Sequence, residues 1–390
     1  MAEAGAGAVP ALCVMTVLVM VGLFPWSAYR VPTPMDQMAR VYSRWPDVAV
    51  YCVDPNWAVS PGERWRQATE GQSPAQCWRV WPLSAEEASS TAAGAVFLDV
   101  EGRSASPTEL LAALDGAERV VVGAHSFWPE VCRRLVEALS PDAVYYDCHE
   151  TVVTLAGGPA RAAHQWLVAH ADAVAAISPA VADAVRGLGR EPLLLGNGID
   201  GECFAAARPA EPEYGFGFVG AFYDWLDVPA LEALAVACPD ETLALIGPVH
   251  ESMGQAYERL AALPNVAARP GVGYGEVPDL LQRIEVCLLP RRLTPDSMAC
   301  DPLKLYEYLA AGRPVASTRV PAAEALGALV YLADGGARFV AAAQAALADV
   351  RAGRFDPAAG RAAMAARTWE MRCATIWSAL AGRQDEAGPP

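Results

Sequence analysis

Apolar runs closed by glycine or by polar residues recur along this chain, and their lengths separate strands from helices. Thr16-Val17-Leu18-Val19-Met20-Val21 ends on Gly22, and Val48-Ala49-Val50-Tyr51-Cys52-Val53 repeats the pattern. Unbroken runs of this length fit strands buried on both faces of a sheet. Between them Pro34–Trp45 has helical spacing. The apolar stretch Ala11–Phe24 is shorter than the roughly 20 residues of a spanning helix. Its flank Met1–Pro10 carries Glu3 and no Lys or Arg, unlike the basic start of an export signal. A buried first strand is therefore predicted over a membrane or export segment. Met15 is an alternative start that leaves the strand intact.

Further strands are predicted at Ala95–Val100, Arg119–Gly123, Ala143–Tyr146, Ala173–Ile177 and Pro192–Leu195. Helical segments fall at Thr108–Leu114, Glu130–Leu139 and Pro179–Leu188, whereas Asn56–Ser90 has no clean period and reads as loops. Strand and helix alternating at this pitch imply a parallel sheet covered on both faces. The pattern breaks at Gly196-Asn197-Gly198, and Ala205–Pro212 reads as a linker. It restarts with strands Phe216–Gly220, Leu243–Ile246, Ile284–Leu289 and Pro314–Ser317, and helices Pro229–Cys238, Met253–Leu263 and Pro302–Ala311. Arg367–Leu380 is a last amphipathic helix. The expected fold class is α/β, with two Rossmann-like domains over 1–204 and 205–365, followed by a C-terminal helix and tail over 366–390.

A length of 390 residues with 53% hydrophobic content suits two domains with separate cores. The formal net charge of -16 argues against a nucleic-acid partner and weakens docking on anionic lipid. The ten cysteines are scattered without a C-x-x-C pair, so neither a zinc site nor a cluster is indicated. They read as reduced core residues of a cytoplasmic protein. No metal or other cofactor is expected.

The chemistry concentrates in Leu289–Pro314. Asp301 is a good N-cap, Pro302 fits the first helical position and Gly312 the C-terminal cap. Lys304 then lies in the first turn, where the macrodipole opposes it by about 0.3–1 kcal/mol unless an anion intervenes. Glu307 shares its face, suited to accept two ribose hydroxyls beside a phosphate, or simply to pair with Lys304. Leu303 and Lys304 at the helix start, and Arg291 and Arg292 at a strand end, are donor-binding candidates; either arginine also fits a solvated loop. Gly220 and Ala221 form a strand-to-helix turn where glycine permits close backbone approach. Asp147, His149 and Glu150 after a buried strand form the best general-base cluster, unless Asp147 caps a helix or pairs with a neighbour. His125 reads as a polar loop residue, and His164 and His170 as surface residues.

Phe218–Asp227, Ala244-Leu245-Ile246-Gly247-Pro248, Leu263-Pro264-Asn265-Val266 and Asp301–Thr318, in that order, resemble the group 1 nucleotide-sugar glycosyltransferases of GT-B fold. Those that build bacterial surface polysaccharides, or natural-product glycosides, are the most similar. Asn197-Gly198-Ile199-Asp200 matches the family's interdomain turn, and Tyr145-Tyr146-Asp147-Cys148 a strand end. The resemblance implies two domains facing across a cleft, with the C-terminal helix packing back toward the first. It implies transfer from a nucleoside-diphosphate sugar with retention and no bound metal, Lys304 offsetting diphosphate charge and Glu307 binding ribose; the base is left open, with a UDP- or dTDP-sugar the first expectation. One departure is clear: where many relatives carry a first glutamate, this chain has Ala299. A sugar-nucleotide 2-epimerase and a non-catalytic sugar-nucleotide-binding protein are the alternatives. The acceptor is read as a soluble small molecule or a lipid-linked sugar. In the second case peripheral membrane contact would run through Trp26, Tyr29, Trp57, Trp65, Trp78 and Trp81.

Overall fold

The computed structural model describes residues 16–22, 33–55, 78–83, 114–149 and 158–381. Two sheets organise it. The first contains β1 (Thr16–Val21), β2 (Val48–Pro55), β3 (Trp78–Leu83), β4 (Arg119–His125), β5 (Ala143–Cys148), β6 (Ala173–Ala176) and β7 (Leu193–Leu194). Their order is β3-β2-β1-β4-β5-β6-β7. β1 lies between β2 and β4, parallel to both, so the first apolar run is a buried strand. No helix among the described residues is long and apolar enough to cross a membrane.

β3 corrects the expectation of loops throughout Asn56–Ser90. It pairs antiparallel with β2 at the sheet's edge, where Pro82 is tolerated because an edge strand needs only one ladder of N–H donors. Trp78 and Trp81 fall on this strand, whereas Trp26, Tyr29, Trp57 and Trp65 lie outside the described residues. So do the predicted strand Ala95–Val100 and most of the predicted helix Thr108–Leu114.

The second sheet contains β8 (Tyr214–Val219), β9 (Leu243–Ile246), β10 (Val266–Arg269), β11 (Ile284–Leu289), β12 (Val315–Thr318) and β13 (Val330–Ala333). All its pairs are parallel, in the order β10-β9-β8-β11-β12-β13. The edge strands β10 and β13 are short and only partly buried, which is why the apolar pattern does not announce them. Helices Val228–Ala237 and Gly336–Arg351 cover one face through Leu231, Leu234, Phe339 and Ala343. In both sheets the strand order reverses beside the first strand, between β1 and β4 and between β8 and β11. A crevice opens at the carboxyl ends of strands flanking such a reversal.

After the second sheet the chain returns to the first lobe. The C-terminal helix Trp369–Ala381 buries Trp369, Cys373, Ile376 and Leu380 against Met38 and Tyr42 of the first helix, Pro34–Ser43. The outgoing and returning segments pair directly, Ile199 N–H donating to Arg367 O at 2.9 Å. Gly198 permits this approach, because a Cβ there would lie 2.6 Å from Trp369 N.

Arg372 locks this return. Its Nη2 donates to Asp147 Oδ1 at 2.5 Å and its Nη1 to Gly196 O at 2.7 Å and to Leu195 O, with both side chains 2% exposed. Removing one partner of a buried pair leaves an uncompensated charge, typically costing about 3–5 kcal/mol. Arg372→Met is therefore expected to lower stability in denaturant unfolding by that order. The double variant Arg372→Met, Asp147→Asn should regain part of the loss, which a double-mutant cycle measures.

Candidate functional site

At the strand-order reversal of the second sheet, β8 runs into Gly220, whose φ of +144° is a conformation that favours glycine. A Cβ at Gly220 would lie 1.7 Å from Lys304 Cε and 2.6 Å from its Nζ. The absent side chain thus makes room for the lysine stem. Ala221 follows, and Phe222 N–H donates to Pro248 O at 2.8 Å, fixing the turn.

Lys304 lies in the first turn of the helix Leu303–Ala310. The expectation that Asp301 caps this helix is not met. The cap position is Pro302, and no side chain caps it. Asp301 is drawn away instead: Asn197 N–H donates to its Oδ2 at 2.5 Å, Tyr306 Oη–H to its Oδ1, and Arg367 Nη1 lies 3.7 Å away. The helix start consequently keeps uncapped N–H groups, which favour an anion. Leu303 was expected at the donor; its side chain packs against the apolar cluster of the first lobe, leaving only its backbone at the helix start. Gly312 follows the helix at a φ of +71°, as the terminal glycine predicted.

Two cations converge here. The Arg291 guanidinium stacks 4.2 Å over the Trp225 ring, and Lys304 Nζ lies 5.5 Å from the same centroid and 6.0 Å from that of Phe218. Among the described residues, no carboxylate lies within ion-pair distance of either group. Burial pulls the Lys304 ammonium below its usual pKa; Glu307 opposes the shift and Arg291 adds to it. Burial likewise lowers Arg291, which is 8% exposed with its Nε unsatisfied. Glu307, also 8% exposed, is raised by burial, while Lys304 and the neighbouring Tyr274 hydroxyl pull it down. Arg292 differs: its Nη1 braces Asp224 O at 3.2 Å on the exposed side of the turn. Trp225 and Thr318, which touch these groups, were not among the expected site residues. Thr318 Oγ1 accepts from Arg291 N–H at 2.9 Å and so fixes where the guanidinium begins.

Ala299, at the position of the absent first glutamate, is 7% exposed and packs into the first lobe's core with Val181 and Ala182. Of the two nearby carboxylates, Asp301 is engaged as above and Asp296 is exposed on the helix Pro295–Ala299.

In the first lobe, Asp147 and His149 come together at the carboxyl end of β5, with His149 Nε2 3.1 Å from Asp147 Oδ2. Glu150 lies outside the described residues. Asp147 does not fit the role of general base. Burial alone would raise its carboxyl, but Arg372 and then His149 outweigh burial and hold it well below the usual carboxylate range. His149 N–H donates to Ser126 Oγ at 2.8 Å, and its ring lies 5.4 Å from Phe127. His125 is a core residue, 1% exposed, not a loop residue, and its Nδ1 accepts from Phe127 N–H at 3.2 Å. His164 is also buried, bonded through Nδ1 to Tyr146 Oη at 2.8 Å, whereas His170 is exposed. The segment Leu195–Asn197 joins the two sets, since Arg372 binds one end of it and Asp301 the other.

Burial lowers His125 from 6.5 to about 4, helped by His149 and opposed by Asp147 and the Val21 and Gly22 backbone. The unfolded chain therefore binds the extra proton first, so this residue's contribution is complete above pH 6.5 and is lost toward pH 4. Melting curves across that window should fall less steeply for His125→Gln than for wild type; identical slopes would refute the assignment.

The model of the family glycosyl transferases group 1 matches residues 213–349. The Bacillus subtilis (strain 168) protein TuaH, described as a teichuronic acid biosynthesis glycosyltransferase, is 32% identical over 143 residues, 34% of this chain and 36% of that one. The chain thus matches about a third of the length of this curated relative. Anabaena Alr3699/HepE in complex with UDP and glucose superposes with a TM-score of 0.63 at 12% identity, covering 94% of this chain and 100% of that one. Sucrose-phosphate synthase from Thermosynechococcus elongatus gives 0.63 at 13% identity, covering 96% and 100%. Staphylococcus aureus TarM, with 9% identity, gives 0.53 over 67% of this chain and 55% of that one. At such identities the likeness is one of fold.

Proposed function

Since residues 213–349 carry the domain of the group 1 glycosyltransferases within a GT-B fold, we propose that this chain transfers a sugar from a nucleoside-diphosphate sugar to an acceptor hydroxyl. The observation that carries the reading is the unpaired Lys304 and Arg291 over Trp225, beside an uncapped helix start. A diphosphate supplies the missing negative charge. The leaving diphosphate gains charge as the glycosidic bond breaks, so cations fixed in a desolvated site favour that transition state. Glu307 accepts the ribose hydroxyls, its carboxylate lying one helical turn from Lys304.

A uridine donor is supported by HepE, whose structures hold UDP and UDP-glucose. Synthesis of a surface polysaccharide is supported by the likeness to TuaH. On the acceptor side we assign His149, whose Nε2 lies 3.1 Å from the Asp147 carboxylate at the end of β5. We retain transfer with retention, and place the lobe boundary near 204, between β7 and β8. Charge offset is assigned to the two side chains.

Isothermal titration with UDP tests the site. Hydrogen bonds to charged groups contribute roughly 1.5–3 kcal/mol, so Lys304→Ala should weaken UDP by about tenfold to a hundredfold. Unchanged affinity would remove Lys304 from the site. Glu307→Gln should reduce the preference for UDP over its 2′-deoxy analogue without weakening pyrophosphate binding. An unaltered preference would remove the ribose role.

A further inference from the structure

We propose that Trp225 is a positioning residue for the donor diphosphate: its indole holds the Arg291 guanidinium and the Lys304 ammonium side by side before the anion arrives. The inference rests on the diphosphate reading above. Two like charges in one desolvated corner repel, and both side chains are long and flexible, so something must hold them together before an anion binds. A carboxylate could do this, but it would neutralise the charge and compete with the incoming phosphates. An aromatic face attracts cations through its quadrupole without cancelling their charge. Trp225 presents such a face, with Arg291 4.2 Å and Lys304 5.5 Å from the ring centroid.

The ring is itself held to the strand end that carries Arg291. Arg292 N–H donates to Trp225 O at 2.8 Å, and Asp227 N–H donates to Pro290 O at 2.9 Å. Leu226 pairs antiparallel with Arg291. Trp225 also packs against the apolar cluster around Phe218 and Phe222, with its ring 6.1 Å from that of Phe218. The backbone bearing the platform is thus bonded to the strand end bearing the guanidinium, and Lys304 is threaded past Gly220 to meet them.

The test is titration of the full chain with UDP and with inorganic pyrophosphate, in wild type, Trp225→Phe, Trp225→Leu and Lys304→Ala. Leucine keeps an apolar side chain without a π face; phenylalanine keeps a weaker face. Trp225→Leu is expected to weaken both ligands on the order of tenfold, with Trp225→Phe between it and wild type. The loss should appear in KM for the donor more than in kcat. Melting temperatures of the two Trp225 variants separate this role from a packing one: affinity should follow the aromatic face, not the stability. Equal losses in Trp225→Leu and Trp225→Phe, or wild-type affinity in Trp225→Leu while Lys304→Ala fails, would overturn the Trp225 role and leave the site standing. Wild type binding neither ligand would instead overturn the diphosphate reading and this inference with it.

Discussion

An unbalanced pair of cations governs the second lobe. Arg291 and Lys304 meet over one indole, with no carboxylate at ion-pair distance among the described residues. Burying an unpaired charge such as Arg291, with Lys304 half-buried beside it, costs several kcal/mol, an electrostatic demand that a bound anion would satisfy. Its neighbours follow from that demand. Gly220 lacks a Cβ so that the lysine stem can pass, Thr318 fixes the Arg291 backbone, and the helix start is left without a capping side chain. Glu307, one turn along, tempers the excess without cancelling it.

The helix that presents Lys304 is steadied from the other lobe. Asp301, the residue before the cap, accepts from the Asn197 backbone, and Asn197 Nδ2 returns a bond to Asp301 O at 2.7 Å. Arg372 grips the preceding carbonyls and Asp147 beneath the first sheet. A side chain that would locally serve the helix thus serves the junction between lobes. The proposed donor site and the first-lobe edge bearing His149 are referred to the same short stretch of backbone.

Much of this was legible in order along the chain, because local patterns carried it. The apolar runs of β1, β5, β8 and β11 announced themselves, and Gly312 marked the end of the helix Leu303–Ala310. Lys304 stood out because a cation in a first turn is locally unfavourable. What could not be read depended on distant partners. Asp301 matches an N-cap by spacing, but Asn197, 104 residues away, claims its carboxylate. Asp147 resembles a free base until Arg372, 225 residues on, is folded against it. His164 follows helical spacing like a surface residue, yet it faces Tyr146. β10 and β13 were missed since short edge strands carry little apolar pattern, and Trp225 because an aromatic in a turn does not declare what will rest on it.

The most direct measurement is a crystal structure of the chain with UDP bound. The charge imbalance requires phosphate oxygens within about 3 Å of Lys304 Nζ and of the Arg291 guanidinium, both cations still resting on Trp225. A nucleotide bound elsewhere, or a lysine turned from the crevice onto a carboxylate, would contradict it.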